Sequence, residues 1–571
     1  MESENANRRD FLKAAAAATV SAIPVARAES QTAGAHGAGA DRVALDILRR
    51  PDHVSARFGL KDVRGMQYAS LAWTCPGVRV SAEPVQVGSQ TEVPIRLTSD
   101  GNDLTYIHVR WEGRESPGSL SLGDHWERSY GDLEWRGTVP DRVMPWYFQT
   151  FDGDRVIGYG VKTQPSAFCF WQRDSEGITL SIDVRNGGEG THFGNRELHA
   201  CTVVMRSGQP GEAIAEAGRK FCRVMCPHPR LPAGPLFGAN DWNYAYGKNT
   251  AAGILQDADL IASLAPAGAT LPHIVIDDGW QDPKRFPSMS DLASEIRRRQ
   301  LQPGLWIRPL QAQASAPPAW LLPDVRFGKN SAHDNLAFDP THPEALDEAM
   351  KTVRTAVQWG YGFIKHDYTT YELFGRWGFD MKTGVARPGW RFYDKSRTNA
   401  EIVRDLYNAI RLAAGEKTEI LGCNAVGHLA AGIFESQRIA DDTSGHDWER
   451  TRRYGVNGLS HRIAQHRTFA HIDPDCVAIT AAVGWRETSQ WMDVVARSGT
   501  SLFFSPDPTA VTPEIKSAMK DAMLIASQEG SGFPLHPTEG TTPSKWRFSQ
   551  PRSVDKSYKW CGGHGASPFD V

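Results

Sequence analysis

The sequence lacks the signals that identify several classes of protein. Its eight cysteines include only one close pair, Cys222 and Cys226, and no second pair lies at the spacing that a zinc site needs. A formal net charge of −3 gives no reason to expect nucleic acid or an anionic membrane surface as a partner. No nucleotide, flavin or haem motif is apparent, so neither a cofactor nor a metal ion is expected.

Long apolar runs are also missing. The apolar stretch over residues 14–25 is too short and too weakly hydrophobic to span a membrane, and no membrane is expected for the mature protein. NRRDFLK (residues 7–13) precedes it and Ala-Arg-Ala (26–28) follows it, which resembles a twin-arginine export signal with Asn in place of the usual Ser or Thr. The resemblance implies a signal peptide over residues 1–28 and a periplasmic or secreted protein. The Ala/Gly-rich stretch that follows predicts a flexible linker over 29–42. An amphipathic N-terminal helix is the alternative.

The rest of the composition is ordinary for a globular protein, with one excess. The 571 residues allow two or three domains, and 40% hydrophobic with 23% charged residues is a common balance. Eighteen tryptophans are the excess, since carbohydrate sites use aromatic platforms, although tryptophan also fills β-sandwich cores. The sequence does not decide whether disulfides form. An oxidising compartment permits them, whereas a protein that folds before export needs few or none.

Residues 43–230 predict an antiparallel β-sandwich. Short alternating runs such as VRVSAEPVQV and LTYIHVRWEG are broken by Gly, Pro, Asp and Asn at the spacing of such a fold. A helix is predicted over 211–226, and CPHPRLP forms a stiff linker after it. The loop over 123–131, with Glu134 and Trp135, concentrates aromatic and charged side chains. We expect it either to lean toward the neighbouring domain's site or to be purely structural.

Residues 231–528 predict a (β/α)8 barrel, so the chain is α/β, with a TIM barrel behind an N-terminal β-sandwich. Eight strand-like segments, each followed by a helix or loop, fit the size of that fold. A doubly wound sheet is the alternative, but no Gly-rich phosphate turn follows the first strand. The strands are predicted at 236–240, 273–276, 304–307, 362–366, 419–423, 436–440, 477–480 and 500–504, and the helices at 251–263, 292–299, 343–359, 398–414 and 513–528. Residues 529–571 are too few for a full domain and predict an irregular tail or a few strands packed on the barrel.

Polar residues follow several of these strands, at the edge where a barrel carries its active site. Asp277 and Asp278 end the second strand, and Trp280 follows them. Adjacent carboxylates can accept hydrogen bonds from neighbouring sugar hydroxyls, while an indole stacks on the C–H face of the ring. The sequence therefore predicts a carbohydrate, either an oligosaccharide or a polysaccharide, as the ligand.

The strand-end motifs resemble those of the α-galactosidase clan of glycoside hydrolases, families 27 and 36. The matching stretches are Asp241-Trp242-Asn243 after the first strand, Asp277-Asp278-Gly279-Trp280 after the second, Lys365-His366-Asp367-Tyr368 after the fourth and Arg438-Ile439-Ala440-Asp441-Asp442 after the sixth. The resemblance spans residues 234–528, and the preceding sandwich favours family 36. It implies an α-galactosidase-like enzyme that hydrolyses terminal α-linked galactose or a related or modified sugar by double displacement.

The resemblance also implies a role for each site residue. Asp367 is expected to be the nucleophile and Asp442 the acid/base. Asp277 and Asp278 are expected to bind the 4-OH and 6-OH of galactose. The other expected substrate-binding residues are Trp242, Trp280, Asp241, Lys365, Arg438, Arg308 and Asn424.

Physical chemistry supports the two catalytic assignments. A retaining glycosidase needs one ionised and one protonated carboxyl group about 5–5.5 Å apart. Lys365 lies two positions before Asp367 and shares its barrel face, which favours an ionised nucleophile. Asp441 crowds Asp442 and is expected to raise the pKa of at least one of the two, as a general acid requires. The spacing from Arg438 favours Asp442 as the acid, with Asp441 as the alternative.

Two positions depart from the pattern of the clan. Arg308 follows the third strand, where an acidic residue is common; it could receive a carboxylate, a sulfate or another modified sugar, or it could pair with a neighbouring acid. After the fifth strand, Cys423-Asn424-Ala425-Val426-Gly427-His428 replaces a Cys-Ser-Gly-Gly-Gly stretch. Galactose is therefore the leading expectation. A transglycosidase of the raffinose synthase type and a non-catalytic carbohydrate-binding barrel are the alternatives.

Overall fold

The computed structural model describes residues 44–114, 116–327, 336–375, 381–562 and 565–566. The predicted signal peptide and linker, residues 1–42, lie outside these ranges. Within the described ranges, no helix is both long enough and apolar enough to cross a bilayer.

Two antiparallel sheets form the N-terminal part of the chain. The first contains, in spatial order, Met144–Pro145, Phe168–Arg173, Gly177–Asp183, Leu104–Glu112, His53–Phe58 and Asp62–Gly65. The second contains Gln67–Ala69, Ala72–Cys75, Val78–Ser81, Gln90–Ser99, Leu198–Ser207, Val156–Val161, Tyr147–Phe151 and Leu120–Gly123, with Val85–Val87 paired to Gln90–Ser99. Phe148 of the second sheet contacts Trp171 of the first, with ring centroids 5.9 Å apart. The sheets therefore pack on one another as a sandwich, and the helix Ile214–Met225 follows them.

Tryptophan fills much of the core of this sandwich. Trp111, Trp126, Trp146 and Trp171 are all buried to within 1% of full burial. Trp111 and Trp171 stack with their ring centroids 6.2 Å apart. A large part of the tryptophan excess therefore serves packing, which was one of the two interpretations of the composition.

Nine parallel strands form a curled sheet in the second part of the chain. In spatial order they are His471–Asp473, Ser436–Arg438, Glu419–Gly422, Phe363–His366, Gln302–Ile307, His273–Ile276, Phe237–Asn240, Leu502–Pro506 and Val477–Ile479. The two strands at the ends of this order follow one another in the sequence. The predicted TIM-type barrel is thus present, with its seventh strand divided in two.

The divided seventh strand is the main departure from the predicted strands. The prediction places this strand at 477–480, but the structure adds His471–Asp473, which pairs with the sixth strand, while Val477–Ile479 pairs with the eighth. Pro474 lies between the two halves and has no N–H to donate to a ladder. Asp475 has a φ of 78°, outside the range of extended backbone. Both features stop the first half from continuing straight into the second.

Helices surround the barrel and begin at local signals. The longer ones are Ala251–Leu264, Met289–Arg298, Pro343–Gln358, Asn399–Ala414, Trp485–Ser498 and Pro513–Ala526; the shorter ones are Trp242–Ala245, Thr369–Phe374, Gly427–Ala430, Trp448–Arg450 and Asn457–Arg462, with single turns or irregular helix at Pro318–Trp320, Asp324–Phe327, Thr451–Val456 and Ile463–Gln465. Thr398 and Glu401 form a reciprocal capping box at the start of one helix. Pro343 and Pro513 occupy first turns, where a missing N–H costs nothing.

The C-terminal residues form a small antiparallel sheet of three strands, Gly532–Pro534, Lys545–Phe548 and Val554–Ser557. This sheet packs on the barrel helix Trp485–Ser498. Lys556 Nζ lies 2.6 Å and the Tyr558 hydroxyl 2.8 Å from Asp493 Oδ2 on that helix. Of the two predicted forms of the tail, the structure shows the few strands packed on the barrel.

Candidate active site

The carboxyl ends of the barrel strands bring the predicted acids together. Asp241, Asp277, Asp367 and Asp442 follow the first, second, fourth and sixth strands respectively. Parallel strands in a barrel all end at one face, so residues that are distant in sequence become neighbours there.

Asp367 is held by donors on both of its carboxylate oxygens. The Tyr368 backbone N–H donates to Oδ1 at 2.8 Å, and Trp306 Nε1 donates to Oδ2 at 3.2 Å. Tyr368 has a φ of 65°, a left-handed conformation that turns the chain sharply after the strand. These contacts fix the direction of the carboxylate before a ligand arrives. Sequence reasoning gave Trp306 no role; its place two residues before Arg308 on the inward face of the third strand is the signal that could have found it.

Lys365 pairs with Asp277, and the expected support of its charge for Asp367 stays a prediction. Its Nζ lies 2.6 Å from Asp277 Oδ2 across the barrel interior, and both side chains are buried. Burial alone lowers the pKa of Lys365, but the Asp277 carboxylate leads the opposing contributions and raises it overall. Lys365 is therefore a permanent cation that holds Asp277.

Asp277 and Asp241 form a buried pair beneath the barrel edge. Asp277 is 0% exposed and also accepts a hydrogen bond from Asn240 Nδ2 at 2.9 Å. Asp241 accepts the backbone N–H of Asp277 at 2.7 Å and Asn249 Nδ2 at 2.5 Å. Burial, with the neighbouring Asp277 carboxylate, raises the pKa of Asp241 to about 7. Both side chains therefore support the site from below.

Asp278 and two tryptophans lie above this pair. Asp278 is partly exposed, in contrast to its neighbour. Trp280 donates Nε1 to the carbonyl of Trp306 at 2.8 Å, which fixes the plane of its indole. Trp242 begins the short helix after the first strand, and its ring lies edge-on to Tyr246 with centroids 5.4 Å apart. Together they place a carboxylate and aromatic surface at the ends of the first two strands.

Asp441 and Asp442 after the sixth strand differ in exposure. The Asp441 side chain is 2% exposed and lies between Arg128 at 2.9 Å and Arg450 at 3.1 Å. The Asp442 side chain is 14% exposed, and its Oδ1 lies 3.1 Å from Arg438 Nη1 and 3.6 Å from Arg128 Nη1. Asp441 is locked in ion pairs, and Asp442 is the member of this pair that a ligand can reach.

Arg438 is clamped by two further aspartates that sequence reasoning missed. Its Nε lies 2.9 Å from Asp473 and its Nη2 2.7 Å from Asp475. Asp475 also accepts the backbone N–H of Thr443 at 2.7 Å, which ties down the segment after the sixth strand. The Asp-Pro-Asp spacing at the break in the seventh strand is the signal that could have found them.

A loop of the N-terminal domain delivers Arg128 to this cluster. Ser129 forms a parallel bridge with the segment just after the sixth strand, because its N–H donates to the Ile439 carbonyl and its own carbonyl accepts the Asp441 N–H, both at 2.9 Å. Arg462 also holds the loop, because its Nη2 donates to the carbonyl oxygens of His125 and Glu127. Of the two roles that the sequence leaves open for this loop, the structure supports the first, because the loop reaches the site.

Comparison with known proteins identifies the fold, although no family model matches the sequence. An α-galactosidase from Thermus thermophilus, in complex with p-nitrophenyl α-D-galactopyranoside, aligns with a TM-score of 0.59 and 18% identity over 89% of this chain and 99% of that one. The GH36 α-galactosidase AgaA from Geobacillus stearothermophilus, in complex with stachyose, aligns with a TM-score of 0.57 and 15% identity over 87% and 77%. An α-galactosidase from Lactobacillus brevis aligns with a TM-score of 0.54 and 11% identity over 88% and 75%. The chain has the α-galactosidase fold. The predicted architecture, a TIM barrel behind an N-terminal β-domain, is confirmed.

Within this α-galactosidase fold, Arg308 pairs with an acid. Its Nη2 and Nε lie 2.8 Å and 3.0 Å from Glu372 Oε1, and its guanidinium carbon lies 4.2 Å from the centre of the Tyr368 ring. Burial raises the pKa of Glu372 to about 7. Of the two roles that the sequence leaves open for Arg308, the structure shows the ion pair with a neighbouring acid.

Asn424 lies in the seam between the two domains of the α-galactosidase fold. Its Nδ2 donates to Glu127 Oε2 at 2.8 Å, and its Oδ1 accepts the Tyr371 N–H at 3.2 Å and the Thr370 hydroxyl. Burial raises the pKa of Glu127. The structure therefore shows a domain-joining role for Asn424, and its predicted contact with a sugar stays a prediction.

Metal-ligating geometry is absent from the described residues, where no group of three or more His, Cys, Asp or Glu is placed to hold an ion. The eight cysteines all fall in the described ranges, and all are unpaired.

Proposed function

We propose that the protein is a retaining α-glycosidase that hydrolyses terminal α-linked galactose or a closely related sugar. The observation that carries this proposal is the position of Asp367 and Asp442 at the ends of the fourth and sixth strands of an α-galactosidase fold. One carboxylate is held by N–H donors and the other is flanked by arginines. The aligned structures in complex with p-nitrophenyl α-D-galactopyranoside and with stachyose support a galactoside as the substrate.

In this proposal Asp367 attacks the anomeric carbon of the bound sugar. Trp306 and Tyr368 hold its carboxylate in one orientation, which lowers the entropic cost of reaching the reactive geometry. A bond forms between the carboxylate oxygen and the anomeric carbon as the bond to the leaving oxygen breaks. Water then cleaves the resulting glycosyl ester and regenerates the carboxylate.

Asp442 donates the proton to the leaving oxygen in the first step. Asp442 belongs to a cluster in which four aspartates contact three arginines. The aspartates are Asp441, Asp442, Asp473 and Asp475, and the arginines are Arg128, Arg438 and Arg450. One of the four carboxyl groups can therefore hold a proton while the other three balance the charges of the three arginines. Asp442 is the most exposed of the four, at 14% against 3% or less for the others, and so it alone can meet a leaving group. Once Asp367 has become an ester, its negative charge is gone, and Asp442 favours the ionised form that accepts a proton from water.

Sugar recognition falls to Asp278 and to the indoles of Trp242 and Trp280. Asp277 contributes indirectly, because it is fully buried and salt-bridged to Lys365. In this proposal the expected contacts of Asp277 with sugar hydroxyls are therefore weaker than those of Asp278.

Hydrolysis of nitrophenyl α- and β-glycosides tests the proposal. We expect cleavage of the α-galactoside and a loss of about 10⁴-fold or more in kcat for Asp367→Asn, since removal of a catalytic nucleophile has effects of this order. Asp507→Asn is the matched control. Asp507 follows the eighth strand but accepts hydrogen bonds from Thr509 in a turn, so the rate of this variant should equal that of the wild type.

If another α-glycoside is cleaved and the α-galactoside is not, the proposed mechanism stands and the proposed sugar is wrong. Transfer to an added sugar acceptor in place of hydrolysis would indicate a transglycosidase, and intact substrates throughout would favour a carbohydrate-binding protein.

Covalent trapping tests the nucleophile separately. A slowly hydrolysed fluorinated galactosyl fluoride should add one sugar mass to the peptide that contains Asp367, and the Asp367→Asn variant should stay unlabelled. Retention should appear in proton NMR as release of the α-anomer first. Labelling of a different peptide, or first release of the β-anomer, would contradict the assignment.

We also propose export by the twin-arginine route with removal of residues 1–28. The NRRDFLK stretch and the following Ala-Arg-Ala support it, and eight unpaired cysteines are compatible with folding before export. Replacement of Arg8 and Arg9 by lysine should leave a longer precursor in the cytoplasm, measured by fractionation and intact mass. Normal export of that variant would contradict the route.

A further inference from the structure

Arg128 carries two buried N–H groups that have no hydrogen-bond partner. The side chain is only 8% exposed. Its Nη2 is paired with Asp441, but Nε and Nη1 find no acceptor within hydrogen-bond distance among the residues that the structure describes. Leaving a buried charged donor unpaired costs about 1–3 kcal/mol or more, so the arrangement calls for an acceptor that comes from outside the protein.

The Nη1 group lies beside the proposed acid/base carboxyl. Arg128 Nη1 lies 3.6 Å from Oδ1 of Asp442, too far for a good hydrogen bond but close enough for attraction. The carboxylate of Asp367 also stabilises the charge on Arg128, so the guanidinium lies within electrostatic reach of both proposed catalytic carboxyls. A pyranose whose anomeric carbon sits between those carboxyls would bring an adjacent ring substituent to Arg128.

The loop that carries Arg128 is rigid enough to position it. The N–H and the carbonyl of Ser129 are both hydrogen-bonded to the segment just after the sixth strand, as described above. On the other side of Arg128, the Glu127 carboxylate accepts hydrogen bonds from Asn424 at 2.8 Å and from the Thr370 and Tyr130 hydroxyls. Donors that are fixed in advance bind an acceptor without paying to order themselves.

Two sugar oxygens neighbour an anomeric carbon, the ring oxygen and the 2-hydroxyl. The ring oxygen gains positive charge in an oxocarbenium-like transition state, so a guanidinium donor there would oppose the reaction. A donor to the 2-hydroxyl oxygen avoids that conflict, and hydrogen bonds to this hydroxyl strengthen in the transition state. The ion pair with Asp441 offsets the charge of Arg128 and lets it act mainly as a donor.

We propose that Arg128 donates a hydrogen bond to the 2-hydroxyl of the sugar, which makes the N-terminal domain a part of the active site. The proposal rests on the glycosidase function proposed above. It identifies the substrate class as sugars that carry a hydroxyl, and therefore an acceptor oxygen, at C-2. It also makes Arg128 a determinant of specificity that comes from outside the barrel.

A cycle of two substrates and two enzymes tests this contact. The substrates are p-nitrophenyl α-D-galactopyranoside and its 2-deoxy analogue, and the enzymes are the mature wild type and Arg128→Lys, which keeps the charge beside Asp441 but loses the forked donors. We expect the preference for the 2-hydroxyl substrate, expressed as a ratio of kcat/KM values, to fall by about 10- to 100-fold in the variant, as loss of a charged hydrogen bond predicts. An equal loss on both substrates would overturn the contact and leave Arg128 a structural residue.

Arg450→Lys is the matched control for the cycle. Arg450 pairs with the same Asp441, and its Nε donates to the Asp442 carbonyl, so its contacts are with protein atoms. We expect its substitution to lower kcat/KM equally for both substrates. A selective loss in this variant as well would show that any disturbance of Asp441 mimics the effect, and it would overturn the assignment to Arg128.

Failure of the proposal can be told apart from failure of the glycosidase function. If the wild type cleaves the galactoside but its ratio of kcat/KM values on the 2-hydroxyl and 2-deoxy substrates equals that of Arg128→Lys, only the Arg128 contact is wrong. If the wild type cleaves no glycoside, the enzyme assignment is wrong and this contact falls with it. Thermal unfolding of each variant checks that it is folded, and Arg128→Gln serves as the second variant, with the same fall in the ratio expected.

Discussion

The barrel contains two Asp-Asp pairs, Asp277-Asp278 after the second strand and Asp441-Asp442 after the sixth, which are built alike but held by different parts of the chain. In each pair the first aspartate is buried in ion pairs and the second is the more exposed. Lys365, from the fourth strand of the same barrel, holds Asp277. Asp441 is held partly by a cation from the N-terminal domain.

The difference shows that the two halves of the site depend on different folding events. The barrel alone supplies every partner of Asp277 described above. The partner of Asp441 at 2.9 Å is Arg128, more than 300 residues earlier in the chain, and it arrives only when the sandwich docks. The acid/base half of the proposed site is therefore sensitive to the domain interface, whereas the half around Asp277 is not.

The largest expected effect comes from breaking the exposed member of the sixth-strand pair. Asp442→Asn should lower kcat/KM on a galactoside with a poor leaving group by about 10²–10⁴-fold, because it removes the proposed general acid. The deficit should be smaller on a nitrophenyl galactoside, whose leaving group needs less protonation. A deficit that is equal on both substrates would show that Asp442 is not the acid.

Breaking the buried member of the second-strand pair should mainly affect stability. Asp277→Asn leaves Lys365 charged and unpaired in the barrel interior and should lower the free energy of unfolding by about 3–5 kcal/mol, measured by urea denaturation. Asp278→Asn is the neighbouring control, and its cost should stay below about 1 kcal/mol because the side chain is partly exposed. The double variant Asp277→Asn with Lys365→Met should recover much of the loss, since it removes both charges. A double variant no more stable than the single one would contradict the ion-pair explanation.

The corresponding change in the sixth-strand pair should cost less. Asp441→Asn should destabilise the protein by about 1–3 kcal/mol, because Arg128 still lies near Asp442 and Arg450 still donates to the Asp442 carbonyl. The same variant should make the N-terminal domain easier to separate from the barrel, which limited proteolysis would detect. Equal destabilisation by Asp441→Asn and Asp277→Asn would remove the distinction between the two pairs.

The smallest effect concerns Asp241, behind the second-strand pair. The pKa of Asp241 is about 7 in the folded protein, well above that of an unfolded aspartate. Between about pH 4 and pH 7 the folded state therefore holds a proton that the unfolded state has released. The free energy of unfolding should fall as the pH rises through this range. Asp241→Asn cannot ionise, and relative to the wild type its free energy of unfolding should rise by about 1–2 kcal/mol between pH 6 and pH 8. Glu372, with a pKa raised to about 7, titrates in both proteins and cancels in the difference. Asp257, whose pKa is raised to about 8 by burial and to a smaller extent by the Asp241 carboxylate, cancels only in part. A difference that does not change with pH would contradict the shift of Asp241.

The sequence by itself determined the order of the elements and the strand ends that carry the acids. Periodicity and breaker residues act over a few positions, so His273–Ile276 and Phe363–His366 could be recognised locally, and with them Asp277, Asp278 and Asp367. The barrel then follows because parallel strands with helical crossovers have few ways to pack. The division of the seventh strand was missed because the half His471–Asp473 has a single apolar residue between two polar ones, whereas the predicted half, Val477–Ile479, is apolar throughout.

Only the tertiary structure decided which charges meet. Strand spacing places Lys365 on the same barrel face as Asp367, but only the interior of the barrel shows that its Nζ pairs with Asp277. Nothing near Arg128 in the sequence indicates that it reaches Asp441, because ion pairs between distant segments depend on where two separately folded surfaces touch. The sequence thus specifies the acids of the site through local patterns, and the packing of strands within the barrel and of one domain on the other assigns each acid its partner and so its role.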